Sequence, residues 1–234
     1  MSQQVVFKSS GGKAALIELY SSEGCSSCPP AEEWLNRWKD SPGLWKDVFP
    51  VNFHVDYWDG LGWPDRFARP EYTARQQTYA ARLGQDSVYT PEFVANGMEW
   101  KRGWFDGTGL PTAGAEKTGQ LTLTVSGKET RFSAEYVAGA GGDAPTLNVA
   151  VLGFNVVSEV KRGENSGRSL KHDFVVLGFG STPMTKKTET GFRSEPVEVK
   201  SATDDVPGAV VAWVSGKDGT ILQVTGGWLV AAGD

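Results

Sequence analysis

Residues Leu16–Pro30 read LIELYSSEGCSSCPP, and the reading of this stretch decides the fold. Leu16, Ile17, Leu19 and Tyr20 continue an apolar run from Ala14 that only Glu18 interrupts. A run of that length fits a strand buried on both faces, as in a parallel or mixed sheet. The small polar residues that follow form a tight turn. Pro29 and Pro30 lack the N–H that a helix interior requires, but a first turn tolerates them. Strand, turn and helix start therefore follow one another directly. Cys25 and Cys28 are the only cysteines in the sequence, and both fall in the turn. Two thiols at that spacing at a helix N-terminus make a redox pair or a soft-metal clamp.

Working outward, the helix is expected from about Pro30 to Lys39, with Trp34, Leu35 and Trp38 on one face and Ser41-Pro42-Gly43 ending it. Val5-Val6-Phe7 is a short strand candidate ahead of the cysteine stretch. After it, Val48–Asp56 is expected as a strand in which Val51, Phe53 and Val55 alternate with Asn52, His54 and Asp56. An aromatic loop follows, Tyr57-Trp58-Asp59-Gly60-Leu61-Gly62-Trp63-Pro64-Asp65. Pro70 and Glu71 open a second helix, with an acid placed well for the helix dipole. Tyr72, Gln76, Tyr79 and Leu83 share one of its faces, and Gly84 stops it. Val88–Ala95 is a strand entered through Thr90-Pro91, and Asn96-Gly97 turns it into a return strand with Met98 and Trp100.

Gly107–Gly114 has the composition of a linker. Beyond it the hydrophobic period changes to two. Leu121, Leu123 and Val125 alternate with threonines, Ser126-Gly127-Lys128 turns the chain, and Phe132, Ala134 and Tyr136 alternate again. Further strand candidates are Leu147–Leu152, Phe174–Phe179, Val197–Val199, Val210–Val214 and Ile221–Val224, ending near Trp228-Leu229-Val230, with no helix expected after residue 115. Short strands separated by turn residues point to a β-sandwich. Gly139–Gly142 lies between strands with no helix behind it, so it is a loop and not a phosphate cradle.

Composition limits the function classes. The chain has 234 residues, 39% hydrophobic and 22% charged, with a formal net charge of -5. That balance suits a soluble globular protein of one large or two small domains and argues against nucleic acid or an anionic membrane as partner. No apolar run approaches the roughly 18 residues of a membrane span. Two cysteines make no disulfide framework. The opening Met1-Ser2-Gln3-Gln4 has no signal-peptide pattern, which leaves a cytoplasmic location or a removed leader.

The chemistry-bearing residues admit competing readings. In the redox reading, Cys25 is the nucleophile, because unpaired N–H groups and the helix dipole favour a thiolate there, and Cys28 resolves the mixed disulfide. Glu23 is a nearby charge that opposes thiolate formation. Against this stand a metal clamp and a pair of inert buried thiols. His54 and His172, the two histidines, would complete a copper or zinc site with the thiolates, or are ordinary surface or supporting hydrogen-bonding groups, which is the favoured reading. Trp58 and Trp63, with Asp56, Asp59 and Asp65, form a recognition surface or pack between two domains. Arg162–Arg168 is a polar, glycine-punctuated loop, and in the redox reading it is a candidate for contact with the active site, through which the later part of the chain shapes partner access. No Ser/His/Asp triad or carboxylate pair follows from spacing.

Residues 14–104 resemble a thioredoxin-like family of mostly secreted bacterial proteins known as domain of unknown function 1223. The stretches that carry the resemblance are Glu18–Ala31 around the cysteines, His54–Trp63, Arg75-Gln76 and Val88–Pro91; Arg162–Arg168 also looks like a family segment. The resemblance implies a thioredoxin-like domain followed by a β-rich domain, and export in relatives that carry leaders. From the broader thioredoxin superfamily it implies that Cys25 is the nucleophile, that Cys28 resolves, and that Thr90-Pro91 is a cis proline lining the substrate groove opposite the cysteines. Gly24 stands where an aromatic residue commonly precedes such a pair, and Pro29 directly after it is unusual.

The resulting expectation is an α+β protein. Residues 1–112 form an α/β thioredoxin-like domain, and residues 113–234 an all-β sandwich-like domain. The expected function is a thiol–disulfide oxidoreductase acting on protein thiols or disulfides, or on a redox partner protein. Its catalytic residues are Cys25 and Cys28, and Thr90, Pro91, Trp58 and Trp63 bind the substrate. It needs no cofactor and is periplasmic or secreted. The alternative is a copper chaperone or metal-binding protein using Cys25, Cys28 and His54. A third possibility is an interaction module whose cysteines are incidental.

Overall fold

The computed structural model describes residues 4–10, 12–101, 118–126, 130–138 and 143–229. The first part of the chain forms β1 (Val5–Lys8), β2 (Ala15–Ser21), α1 (Cys28–Asn36), β3 (Val48–His54), α2 (Pro70–Leu83), β4 (Glu92–Ala95) and β5 (Met98–Glu99). The later part, all strand among the described residues, forms β6 (Gln120–Ser126), β7 (Arg131–Val137), β8 (Thr146–Gly153), β9 (Val156–Glu159), β10 (Ser169–His172) and β11 (Val175–Pro183). It ends with β12 (Lys186–Lys187), β13 (Gly191–Arg193), β14 (Val197–Glu198), β15 (Ala209–Ser215) and β16 (Ile221–Trp228).

Local chemistry accounts for most boundaries. α1 begins at Cys28, two residues before the expected Pro30, because both prolines fit in its first turn. It passes into a 3-10 turn over Arg37–Asp40. α2 starts at Pro70 as expected and stops at Gly84, whose φ of +68° is the left-handed conformation that glycine adopts without a Cβ penalty. Asn96 and Gly97 both have positive φ and join β4 to β5 as a tight hairpin. The Gly107–Gly114 linker, the Ser126-Gly127-Lys128 turn and the Gly139–Gly142 loop lie wholly or mainly outside the described residues. The short hairpin strands β9, β10, β12 and β13 were not expected.

Among the described residues the strands form two larger sheets and one hairpin. The eight-stranded sheet has the order β16-β15-β8-β11-β3-β2-β4-β5. β2 runs parallel to β3, and β3 parallel to β11, with Asn52 opposite Val175. The six-stranded sheet has the order β1-β6-β7-β13-β12, with β14 also on β7. β9 and β10 form the separate hairpin. Strands from either side of the expected boundary near residue 112 therefore share both sheets: β1 pairs with β6, and β11 with β3.

The eight-stranded sheet is buried on both faces. Ala209, Val211 and Trp213 of β15 pack toward α1 and α2 with Ala31, Leu35, Tyr72 and Tyr79. The alternate residues Val210, Ala212 and Val214 pack toward Leu121, Leu123, Val125, Phe132 and Tyr136 of the six-stranded sheet. Burial on both faces produces the unbroken apolar runs, and the solvated outer face of β6 and β7 produces the period of two. β3 corrects the expectation of alternation. All seven of its residues are buried, including Asn52 and His54, and it ends at His54 rather than Asp56.

Candidate functional site

The cysteine turn is built from its own backbone first. The Ser22 hydroxyl accepts from Gly24 N–H at 3.1 Å, Cys25 N–H donates to Ser22 O at 3.1 Å, and Cys28 N–H donates to Cys25 O at 3.2 Å. These bonds swing the chain from β2 into α1 within six residues. A Cβ on Gly24 would lie 3.1 Å from Trp58 Cβ, so the aromatic neighbour of the pair comes from a distant loop and packs closely over the glycine.

The later half of the chain closes over this turn. In the β9–β10 hairpin loop, Asn165 donates from its amide to both Glu23 O and Cys25 O, each at 2.9 Å. Glu164 Oε2 accepts from Ser26 N–H, between the two cysteines, at 3.0 Å. The loop Arg162–Arg168, expected from sequence as a candidate for contact with the active site, lies against the cysteine turn. On another side Trp58 donates to Thr90 Oγ1 at 2.8 Å, and Thr90 O lies 3.9 Å from Cys25 Sγ. The Thr90–Pro91 bond is cis, as the resemblance implied. Trp63 donates to Glu23 Oε2 at 2.6 Å. Tyr57, Leu61 and Tyr89 are large apolar side chains left exposed by this part of the chain.

Both cysteines are free thiols and buried; Cys25 is 1% exposed. Their acidities split. Hydrogen bonding from Cys28 lowers the Cys25 thiol to about 6 against the opposing effect of burial, and Ser27, with Oγ 3.2 Å from Cys25 Sγ, adds to the lowering. Cys28 is pushed well up, first by burial, then by its hydrogen bond to Cys25 and by the charges of Cys25 and Glu32. One thiol is therefore ready to ionise and the other holds its proton.

The histidines are not surface groups. His54 and His172 are fully buried, with ring centroids 5.1 Å apart. His54 Nδ1 meets Asp65 Oδ2 at 2.6 Å, while its Nε2 lies 3.1 Å from Asn52 Nδ2 and 3.8 Å from Glu32 Oε1. His172 Nδ1 meets Glu32 Oε2 at 2.6 Å, and its Nε2 lies 3.2 Å from Glu23 Oε1. Burial works against charge on each imidazole. Asp65 nevertheless raises His54, and Glu32 carries His172 to about 10. Burial likewise opposes ionisation of Glu32 and Asp65, yet the facing imidazoles hold both acids below their ordinary values.

The structure thus gathers Cys25, Cys28, Thr90, Pro91 and Trp58 around one turn and ties Trp63 to it through Glu23. It does not bring His54 into one ligand group with the cysteines. Among the described residues the group able to hold a metal is Glu32, His54 and His172. Sequence reading missed Glu32, Asn165 and the meeting of the two histidines. Glu32 carried a local signal, because it lies one helical turn beyond Cys28 and so shares a helix face with it.

Comparison with known proteins adds the lineage. The family model described as "Protein of unknown function (DUF1223)" matches residues 16–214. No curated protein matches the sequence. A protein of Agrobacterium tumefaciens solved by structural genomics is 24% identical with a TM-score of 0.59, over 94% of this chain and 96% of its own. HBP35 of Porphyromonas gingivalis is 15% identical with a TM-score of 0.61, over 94% of this chain and 76% of its own. At these identities the likeness concerns the fold alone.

Proposed function

The chain belongs to the DUF1223 family, and we propose that it is a thiol–disulfide oxidoreductase of the thioredoxin superfamily acting on protein thiols. The observation that carries this reading is the setting of Cys25. Its sulfur lies at the entrance to α1, beside the Ser27 hydroxyl and the Thr90 carbonyl, with Cys28 as its hydrogen-bonding neighbour. The thioredoxin-like reading of the first half is supported by the parallel β2–α1–β3 unit, by α2 with the β4–β5 hairpin, and by the cis Thr90–Pro91 bond beside the cysteine.

The chemistry follows from the split acidities. The Cys25 thiolate attacks one sulfur of a substrate disulfide; a Cys25–substrate bond forms, and the other substrate sulfur leaves as thiolate and takes a proton. Cys28 then loses its proton and attacks Cys25 Sγ. The mixed disulfide breaks, the Cys25–Cys28 disulfide forms, and the second substrate thiol is released. Two electrons pass from the cysteine pair to the substrate, and the same steps in reverse oxidise a dithiol.

Trp58, Trp63 and the exposed Tyr57, Leu61 and Tyr89 supply an apolar contact surface for a protein partner. The Glu164–Asn165 segment covers the turn, so the β-rich half controls access to Cys25. A periplasmic or secreted location suits this chemistry, because disulfides persist in oxidising compartments.

The test is thiol trapping of Cys25 and Cys28 across glutathione buffers of graded potential. A single two-electron couple, lost in Cys25→Ser, is the expected result. Absence of exchange with glutathione and with thioredoxin, or a Cys25→Ser protein that exchanges like the wild type, overturns the reading.

A further inference from the structure

The buried polar cluster behind the cysteine turn has an arrangement that neither sequence pattern nor thiol chemistry requires. Each imidazole presents one nitrogen to a backing carboxylate and the other toward Glu32. His54 has Nδ1 on Asp65 at 2.6 Å and Nε2 facing Glu32 Oε1 at 3.8 Å. The Asn52 amide nitrogen lies 3.1 Å from the same Nε2. His172 has Nε2 toward Glu23 Oε1 at 3.2 Å and Nδ1 on Glu32 Oε2 at 2.6 Å. Metal-bound histidines are characteristically oriented this way, with a carboxylate holding the nitrogen that does not ligate.

Distances support the same reading. One donor atom from each of Glu32, His54 and His172 lies within 4.8 Å of the other two. Tetrahedral ligands at bond lengths of about 2.0–2.1 Å stand roughly 3.3 Å from one another. His172 Nδ1 stands 2.6 Å from Glu32 Oε2 and His54 Nε2 stands 3.8 Å from Glu32 Oε1, one below and one above that value. Glu23 Oε1 and His172 Nε2 are both buried and lie 3.2 Å apart, so a carboxylate backs the imidazole nitrogen that faces away from Glu32. A cleft of about 610 Å³, lined by Pro29, Glu32, Arg168, Leu170 and Asp173 among others, opens beside Glu32.

We propose that Glu32, His54 and His172 form a site for one divalent transition-metal ion, with Asp65 and Glu23 orienting the two imidazoles. Two imidazole nitrogens and one carboxylate oxygen favour Zn²⁺ or Co²⁺ over the oxygen-only preference of Ca²⁺ and Mg²⁺ or the thiolate preference of Cu(I). The ion ties α1 to β3 and β10, three elements distant in sequence. The site does not depend on the redox reading, because neither cysteine belongs to it.

The test uses the full chain carrying Cys25→Ser and Cys28→Ser, which removes the competing thiolates, after treatment with a chelator. Co²⁺ titration is expected to show one ion per chain, d–d absorption without a thiolate-to-cobalt charge-transfer band, displacement by Zn²⁺, and a raised Tm. His54→Gln and His172→Gln on this background are each expected to weaken binding 30-fold or more. X-ray absorption of the zinc-loaded double-serine protein, which needs no change at the cluster, is expected to show two imidazole nitrogens and oxygen. No binding below about 100 μM, undiminished binding by folded His54→Gln and His172→Gln proteins, or an oxygen-only shell overturns the proposal.

Discussion

The cysteine pair and the imidazole cluster meet on α1, where Cys28 and Glu32 are one turn apart, yet the two sites are made in opposite ways. The pair lies within four consecutive residues and is shaped by short-range hydrogen bonds. Its two like groups are driven apart in acidity, Cys25 down and Cys28 up. The cluster draws Glu23, Glu32, His54, Asp65 and His172 from five separate places in the chain, and its acids and imidazoles face one another in buried pairs. Splitting like groups creates a reactive difference between them. Pairing unlike groups removes reactivity and ties elements together. The first arrangement suits chemistry and the second suits anchorage, of protons or of an ion.

Substitutions test that contrast, beginning with the largest effect. Cys25→Ser is expected to reduce thiol–disulfide exchange to the background rate while shifting the urea midpoint little, since the change is nearly isosteric. His172→Ala is expected to do the reverse. It takes the imidazole from Glu23 and leaves Glu32 only the more distant His54 at 3.8 Å, a loss of about 3–5 kcal/mol in urea unfolding. A destabilised Cys25→Ser or a fully stable His172→Ala would erase the distinction between the two sites.

Asn165→Ala sharpens it at the point where the later half of the chain touches the turn. Removing the amide leaves Glu23 O and Cys25 O without that donor, at a cost of about 1–3 kcal/mol. It is also expected to speed alkylation of Cys25 by opening its cover; unchanged alkylation would show that access runs elsewhere. The smallest effect is a shift in a pH profile. Because the Cys25 thiol is lowered to about 6, its alkylation rate is expected to rise through that pH, with roughly nine-tenths of it thiolate at pH 7. In Cys28→Ala the midpoint is expected to move up toward the ordinary thiol range, because the Cys28 hydrogen bond is the largest lowering influence. A midpoint that does not move would assign the lowering to Ser27 and Thr90 instead.

What could be read in advance follows the range of the interactions. α2 with its Pro70 start and Gly84 stop, the Asn96-Gly97 hairpin and the strand-to-helix course of the cysteine turn are set by residue type and contacts within a few residues, although distant residues also bond to that turn. β3 misled for a physical reason. Asn52 and His54 between Val51, Phe53 and Val55 imitate a strand with one wet face. In a strand flanked by β2 and β11 the polar side chains point instead into a buried network. The Arg162–Arg168 loop was legible as a candidate contact with the active site, but the hairpin β9–β10 that carries it and the particular contact through Asn165 had no local signal.

The amino-acid sequence by itself determined the strand–turn–helix that carries Cys25 and Cys28, the α+β character, and the change from unbroken apolar runs to a period of two. Those features depend on backbone propensity and on the number of buried faces, which are local properties of the chain. Tertiary structure alone decided that the two halves share both sheets, that Asn165 and Glu164 are the residues by which the later half holds the turn, and that His54 and His172 meet over Glu32. Such meetings are set by long-range strand pairing, above all β11 beside β3. They leave no mark in residue spacing because the free energy that fixes them is distributed over the whole buried sheet.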